Sequence, residues 1–386
     1  MTEETRLIHS GQAQTPLART VGPPIQRGST VLLPNAAALY DHESQVTYGR
    51  QGLAAQSALI SALAELEHAA GVTLYPSGLA ALTGAMLAVL KAGDEVLVVD
   101  TIYKPTRRFC DTVLRRYGVQ VRYYPASQDA EALMAACGPA TRLIVLESPG
   151  SLSFEFQDVP AIAAAARARG VLTLIDNTWA AGLLFKPLDH GVDISVQALT
   201  KYVGGHSDVF MGSAAVRTPD LVQILEDGVL NIGWAVSPDD AYQMLRGLRT
   251  LATRMARHDA SGREVAAWLA KRDEVGQVLH PALPGAPGAE IWGRDYSGAC
   301  GLFAFTLNSA SAAATAAFLD ALTVFGLGFS WGGFESLAID CDPQLSGRSA
   351  RGDYGGPLIR LHIGLEDPVD LIADLEGGFA ARGAAT

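Results

Sequence analysis

Leu172-Thr-Leu-Ile-Asp176-Asn-Thr-Trp179 is an apolar run that ends in a carboxylate, and the run over 194–199 leads into Thr200-Lys201-Tyr202-Val-Gly-Gly-His206. Runs this short, rich in Leu, Ile and Val and closed by polar residues or Gly, read as buried strands. Outward from them the pattern repeats. Strands are predicted over 72–75, 95–100, 121–124 and 142–147, with helices over 54–68, 79–90 and 159–169 between them. Short buried strands alternating with amphipathic helices make βαβ units, so the fold class is α/β with a mainly parallel sheet covered on both faces. Ligands in such sheets sit at the carboxyl ends of strands, where Asp176 and Lys201 both fall.

Residues 1–52 are rich in Gly, Pro, Ser and Thr and hold no sustained period, which predicts an extended arm packed on something larger. The sheet-forming region runs over 53–247. A long helical stretch over 239–270 leads into a third region, 248–386, with a Pro/Gly-rich loop over 280–288 and strands over 302–307 and 358–363. That region reads as a smaller C-terminal α/β domain.

Composition narrows the function classes. With 386 residues, 49% of them hydrophobic and 18% charged, the chain can bury a large core. A formal net charge of −11 argues against nucleic acid or an anionic membrane as partner, since both need clustered Lys and Arg. Cys110, Cys137, Cys300 and Cys341 are scattered, with no paired spacing and no His at metal-ligand spacing, so neither a disulfide framework nor a metal site is expected. The first residues carry acids and no apolar run, and no stretch reaches the ~18 apolar residues of a membrane span. A cytoplasmic enzyme acting on a small molecule is the expectation.

The chemistry concentrates at two strand ends. A lysine behind an apolar strand is partly desolvated, which lowers its pKa and favours Schiff-base formation. Pyridoxal phosphate (PLP) held by such a lysine also needs an anion beside its pyridine nitrogen, to keep the ring an electron sink. Lys201 and Asp176 suit these two roles. Tyr75-Pro-Ser77-Gly78-Leu79-Ala80 adds a strand, a turn and a helix start, whose free N–H groups suit a phosphate.

These words and others resemble the Cys/Met-metabolism PLP enzymes, and within them the β-lyase branch. The resemblance runs over nearly the whole chain: Tyr48-Gly-Arg50, Tyr75-Pro-Ser-Gly78, Glu147-Ser-Pro-Gly-Ser151, Ile175-Asp-Asn-Thr-Trp-Ala-Ala-Gly182, Gly204-Gly-His-Ser-Asp208, Ser330-Trp-Gly-Gly-Phe-Glu-Ser336 and Ile359-Arg-Leu-His-Ile-Gly-Leu-Glu-Asp367. It implies the fold-type I, aspartate aminotransferase-like architecture and a homotetramer with shared active sites. It also implies PLP-dependent cleavage of cystathionine by β-elimination to homocysteine, pyruvate and ammonia, a step of methionine biosynthesis.

Residue by residue, the resemblance implies that Lys201 holds PLP and acts as the base, that Asp176 pairs with the ring nitrogen and that Tyr103 stacks on the ring. Gly78 and Leu79 amides with the Thr200 hydroxyl would hold the phosphate, and Tyr48 and Arg50 would reach it from a neighbouring subunit. Arg360 would grip the substrate carboxylate, with Ser330 and Trp331 lining that pocket. Gly150-Ser151 after Glu147-Ser-Pro, and Ala198 where γ-acting branches carry Ser, favour β-elimination. Gln51 after Arg50, and Lys104, Arg107 and Arg108 where acids are usual, depart from the pattern and predict a preference for anionic distal groups. Alternatives are a cysteine desulfhydrase or a lyase for another cysteine thioether and, from another class, a PLP-binding regulatory protein without turnover.

Overall fold

The computed structural model describes residues 1–10, 20–41, 45–308, 310–348, 352 and 354–384; of the predicted arm, 11–19 and 42–44 lie outside the described residues. The arm is not wholly extended. Glu3–His9 form helix α1, because Thr2 caps its first turn by accepting from Thr5 N, and Glu3 and Glu4 favour the positive end of the helix dipole.

Helix α2 (Ala54–Glu67) follows and stops at His68, whose φ of 54° is left-handed. Strand β1 (Gly71–Tyr75) turns through Ser77 into α3 (Gly78–Val89), with the Ser77 side chain accepting from Ala80 N at 3.1 Å. Next come β2 (Glu95–Val99), α4 (Lys104–Phe109), β3 (Gln120–Tyr124), α5 (Ala130–Ala136) and β4 (Thr141–Glu147). Helix α6 (Val159–Ala168), β5 (Leu172–Asp176), β6 (Ile194–Gln197) and β7 (Gly212–Val216) complete the large sheet.

Its strand order is β1-β7-β6-β5-β4-β2-β3. β7 runs antiparallel to both β1 and β6, and every other pairing is parallel. Consequently the ends of β1, β2, β4, β5 and β6 open on one edge of the sheet, the side on which α/β sheets hold ligands.

Helix α7 (Pro219–Ile232) packs against α3, and the predicted helix over 239–270 is two helices, α8 (Pro238–Leu248) and α9 (Leu251–Leu269). The break falls at Arg249-Thr250, where no Gly or Pro announces it. Arg254 causes part of it by tertiary contact: its guanidinium, buried in α9, donates to Gly247 O and to the carbonyls of Tyr202 and Val203.

A second sheet has the order β10-β11-β12-β9-β8, built from β8 (Val275–Leu279), β9 (Leu302–Leu307), β10 (Gly326–Leu327), β11 (Leu337–Asp340) and β12 (Leu358–His362). It carries its own apolar cluster around Phe303, Phe305, Phe318 and Phe379. The two sheets are tied together at the site edge, since Trp179, just beyond β5, donates its indole N–H to Leu302 O at 3.0 Å.

Candidate active site

Asp176 closes β5 and is paired in register with Glu147, the last residue of β4, so two carboxylates stand side by side at the sheet edge. Burial pushes both carboxyl groups up, Glu147 well above its ordinary range with the Asp176 charge adding to the effect. Thr178 works in the opposite direction on Asp176. Its N–H donates to Asp176 Oδ1 at 3.1 Å, its hydroxyl donates to the same oxygen at 2.5 Å, and Lys201 adds a favourable charge. Among the described residues Glu147 instead accepts one such bond, from Tyr103 N at 2.7 Å. The pair therefore shares its protons unequally, with Asp176 the better-supported anion.

Thr178 does more than support the acid. Its hydroxyl oxygen also accepts from Ala198 N at 2.9 Å, which links the end of β5 to the turn carrying Lys201. Lys201 Nζ donates to Ser330 Oγ at 2.8 Å and lies 5.3 Å from the Trp331 ring centre. Burial, and then the positive charge of Arg360, lower its pKa to about 8 against a weaker opposing pull from Asp176.

Arg360, on β12, is 7% exposed, and its Nη2 donates to the carbonyls of Phe329 at 2.9 Å and Ser330 at 3.1 Å, with Gly328 O at 3.4 Å. No ion pair among the described residues uses this guanidinium. A buried arginine satisfied only by carbonyls keeps its charge for an anion brought in from outside.

Tyr103 caps α4 and is 43% exposed, which sets it apart from the core aromatics. Burial of its remainder and the nearby carboxylates push its hydroxyl up. At the end of β1, a Cβ on Gly78 would lie 2.3 Å from Ala198 Cβ, so only glycine lets the start of α3 approach the Lys201 turn. The Thr200 hydroxyl lies in the same corner and is bonded to Met211, accepting from its N–H at 3.0 Å with its own proton directed to the carbonyl at 3.2 Å.

The structure thus gathers Lys201, Asp176, Tyr103, Gly78, Leu79, Thr200, Ser330, Trp331 and Arg360 at one sheet edge. Tyr48 and Arg50 are not joined to them within the chain. Both are exposed, and Arg50 Nη1 donates to Leu230 O, near the end of α7, at 2.7 Å. The three cations after Tyr103 also separate. Arg107 is bound to the buried Asp100 and lies 3.7 Å over the Tyr123 ring, so the expectation that it faces the substrate is corrected. Lys104 Nζ donates to Pro343 O at 3.1 Å, whereas Arg108 is exposed and acts on the Tyr103 phenol through its charge. Sequence reading passed over Glu147 as a neighbour of Asp176 and over Thr178 as its support. A Thr two residues after a strand-end Asp was the available signal.

These residues fit PLP: a lysine of lowered pKa, a buried acid, an exposed ring and a helix start open to a phosphate. Comparison with known proteins agrees with that chemistry. The model of the Cys/Met metabolism PLP-dependent enzymes matches residues 4–380, and the chain belongs to that family. It is 48% identical to a putative cystathionine beta-lyase of Rhizobium johnstonii, over 98% of this chain and 96% of that one. It is 41% identical to the cystathionine beta-lyase of Escherichia coli (strain K12), over 98% of each chain. Among solved structures, the cystathionine gamma-lyase of Lactobacillus plantarum, complexed with L-serine, superposes with a TM-score of 0.92 at 31% identity, covering 99% of this chain and 100% of that one. The fold is therefore that of the fold-type I PLP enzymes.

Proposed function

We propose that this family member cleaves cystathionine at the carbon–sulfur bond on its three-carbon side, releasing homocysteine, pyruvate and ammonia. One observation carries the chemistry: Lys201 Nζ, the buried Arg360 guanidinium and the Ser330-Trp331 wall meet over a single loop. The full-length likeness to two proteins named as cystathionine β-lyases supports the choice of substrate.

Bound at Lys201, PLP supplies an electron-withdrawing ring that accepts the electrons of the Cα–H bond. The chain supplies the rest. Arg360 takes the substrate α-carboxylate in place of water, which fixes Cα beside Lys201. Asp176, supported by Thr178, holds a proton on the ring nitrogen. Lys201, whose amine is about half neutral at pH 8, would remove the Cα proton at Nζ as the sulfur leaves Cβ as thiolate, and water then releases the three-carbon remainder as pyruvate and ammonia. Gly78, Leu79 and Thr200 would hold the phosphate, Thr200 by turning its proton away from Met211, and Tyr103 would cover the ring.

We further propose that Tyr48 and Arg50 serve the phosphate of a neighbouring subunit in a homotetramer, because within the chain both are exposed and stand apart from Lys201. The arm, 1–52, then acts in assembly, 53–247 holds the cofactor, and 248–386 contributes Arg360. Free Cys110, Cys137, Cys300 and Cys341, and the lack of any described helix long and apolar enough to cross a membrane, support a cytoplasmic role in methionine supply. Arg108 favours substrates with an anionic distal end.

Product analysis tests the central reading. Homocysteine and pyruvate from cystathionine are expected; cysteine and 2-oxobutyrate would assign the other carbon–sulfur bond. Faster turnover of cysteine or alkyl-cysteines than of cystathionine would move the assignment to one of the alternative lyases, and no keto acid from any thioether would leave a binding protein.

A further inference from the structure

His362 lies two residues beyond Arg360 on β12 and projects from the same face of that strand. Both side chains hold the loop from Gly328 to Gly333. Arg360 takes its carbonyls, and His362 Nε2 lies 3.1 Å from Gly332 N and 3.1 Å from Gly333 O. One ring nitrogen cannot satisfy both, because the amide only donates and the carbonyl only accepts. A proton on Nε2 would leave the Gly332 N–H buried without an acceptor, which costs more than an under-used carbonyl. His362 therefore carries its proton on Nδ1.

His258, on α9, packs against it with ring centres 5.3 Å apart. Its Nδ1 lies 2.8 Å from Ile363 O, a pure acceptor, so this ring is also protonated on Nδ1 and bare at Nε2. Both rings are fully buried, and burial keeps both neutral. Among the described residues, one nitrogen of each ring, His362 Nδ1 and His258 Nε2, is buried without a partner, as is the hydroxyl of Tyr202, which packs on both rings. By the tautomers just assigned, His362 Nδ1 is a donor and His258 Nε2 an acceptor.

We infer that the two packed imidazoles form one chain from Ile363 O through His258 and His362 to Gly332 N, and that this chain positions the Ser330-Trp331 loop against Lys201. The loop leaves no slack to absorb an error. Gly332 has φ of 84°, and a Cβ there would lie 2.8 Å from Tyr202 N, so the loop touches the backbone beside Lys201. His258 and His362 are positioning residues that touch no substrate.

The inference rests on the reading of Arg360 as the carboxylate holder. Its test titrates the holoenzyme with L-alanine, which offers carboxylate and amine but no leaving group, and follows the cofactor absorbance. Failure of the lyase reading alters the products from thioethers and leaves this titration untouched. His362→Leu is expected to keep the cofactor and weaken L-alanine binding about tenfold or more. His362→Gln, whose amide oxygen accepts from Gly332 N, should return to within about threefold of the parent. A His258→Leu/His362→Leu double variant should bind no more weakly than His362→Leu alone, since either change breaks the same chain. Unchanged binding in His362→Leu, equal loss in the Leu and Gln variants, or multiplying losses in the double variant would each overturn the inference. If His362→Leu does not fold, His258→Leu alone decides: about threefold weaker binding supports the chain and unchanged binding overturns it.

Discussion

The floor of the site and its rim are built differently. On the floor, Asp176 and Glu147 are fixed by strand register, Lys201 by a turn bonded to Thr178, and Arg360 by three loop carbonyls. On the rim, Arg108 and Arg50 are exposed side chains on a short helix and on the arm. Groups held by a sheet lose little freedom on binding, so they can carry the chemistry, whereas exposed side chains adjust the choice of substrate at a cost of a few-fold. The contrast shows where substitutions should abolish turnover and where they should only shift preference.

The largest effect belongs to Lys201. Lys201→Ala is expected to lower turnover by about 10³-fold or more, with any remaining cofactor held non-covalently. A fall of only a few-fold would move the base elsewhere. Next is the pH dependence of cofactor incorporation. The unfolded-like amine would titrate at 10.5, and burial brings Lys201 down to about 8, so the reactive neutral amine becomes abundant at lower pH. Incorporation of PLP into cofactor-free protein should rise with pH, reach half its maximum near 8 and level off about a unit higher, and at pH 7.5 run about 10²-fold faster than for a lysine of ordinary pKa. A rise continuing toward 10.5 would show that burial does not tune this amine.

Arg360→Ala should weaken binding of L-alanine by about 10²-fold, because it removes the buried partner of the carboxylate. Equal loss for ethylamine, which has no carboxylate, would contradict that role. The rim predicts less. Arg108→Asp should raise kcat/KM for cystathionine relative to a thioether with a purely anionic distal end by about two- to fivefold. Arg107→Gln should leave that ratio unchanged while lowering stability by about 1–3 kcal/mol, since it removes the charge that pairs with the buried Asp100 carboxylate. A ratio that moves with Arg107 and not with Arg108 would reverse the assignment of the two cations.

The same division marks what the amino-acid sequence made legible. Asp176 and Lys201 stand at the ends of apolar strands, so their place at a sheet edge followed from pattern, whereas Arg360 lay on a readable strand and its role came from the resemblance. Strand β7, Gly212-Ser-Ala-Ala-Val216, went unread because small residues between two neighbours carry little hydrophobic signal, although its antiparallel pairing joins β1 to β6. The α8–α9 break coincides with tertiary bonds from Arg254 to Gly247 O and to the carbonyls of Tyr202 and Val203, which leave no local signal. Arg107 and Arg108 are adjacent and chemically alike, and only the position of Asp100 and Tyr123 in space separates them. Resemblance to a family named the residues of the floor, but the support from Thr178 and the facing imidazoles of His258 and His362 became visible only as contacts.

Reduction of the holoenzyme with borohydride, followed by peptide mapping, tests the central claim most directly, because it records which amine the sheet edge presents to the cofactor. The pyridoxyl group should be found on Lys201; finding it on another lysine, or on none, would contradict the account.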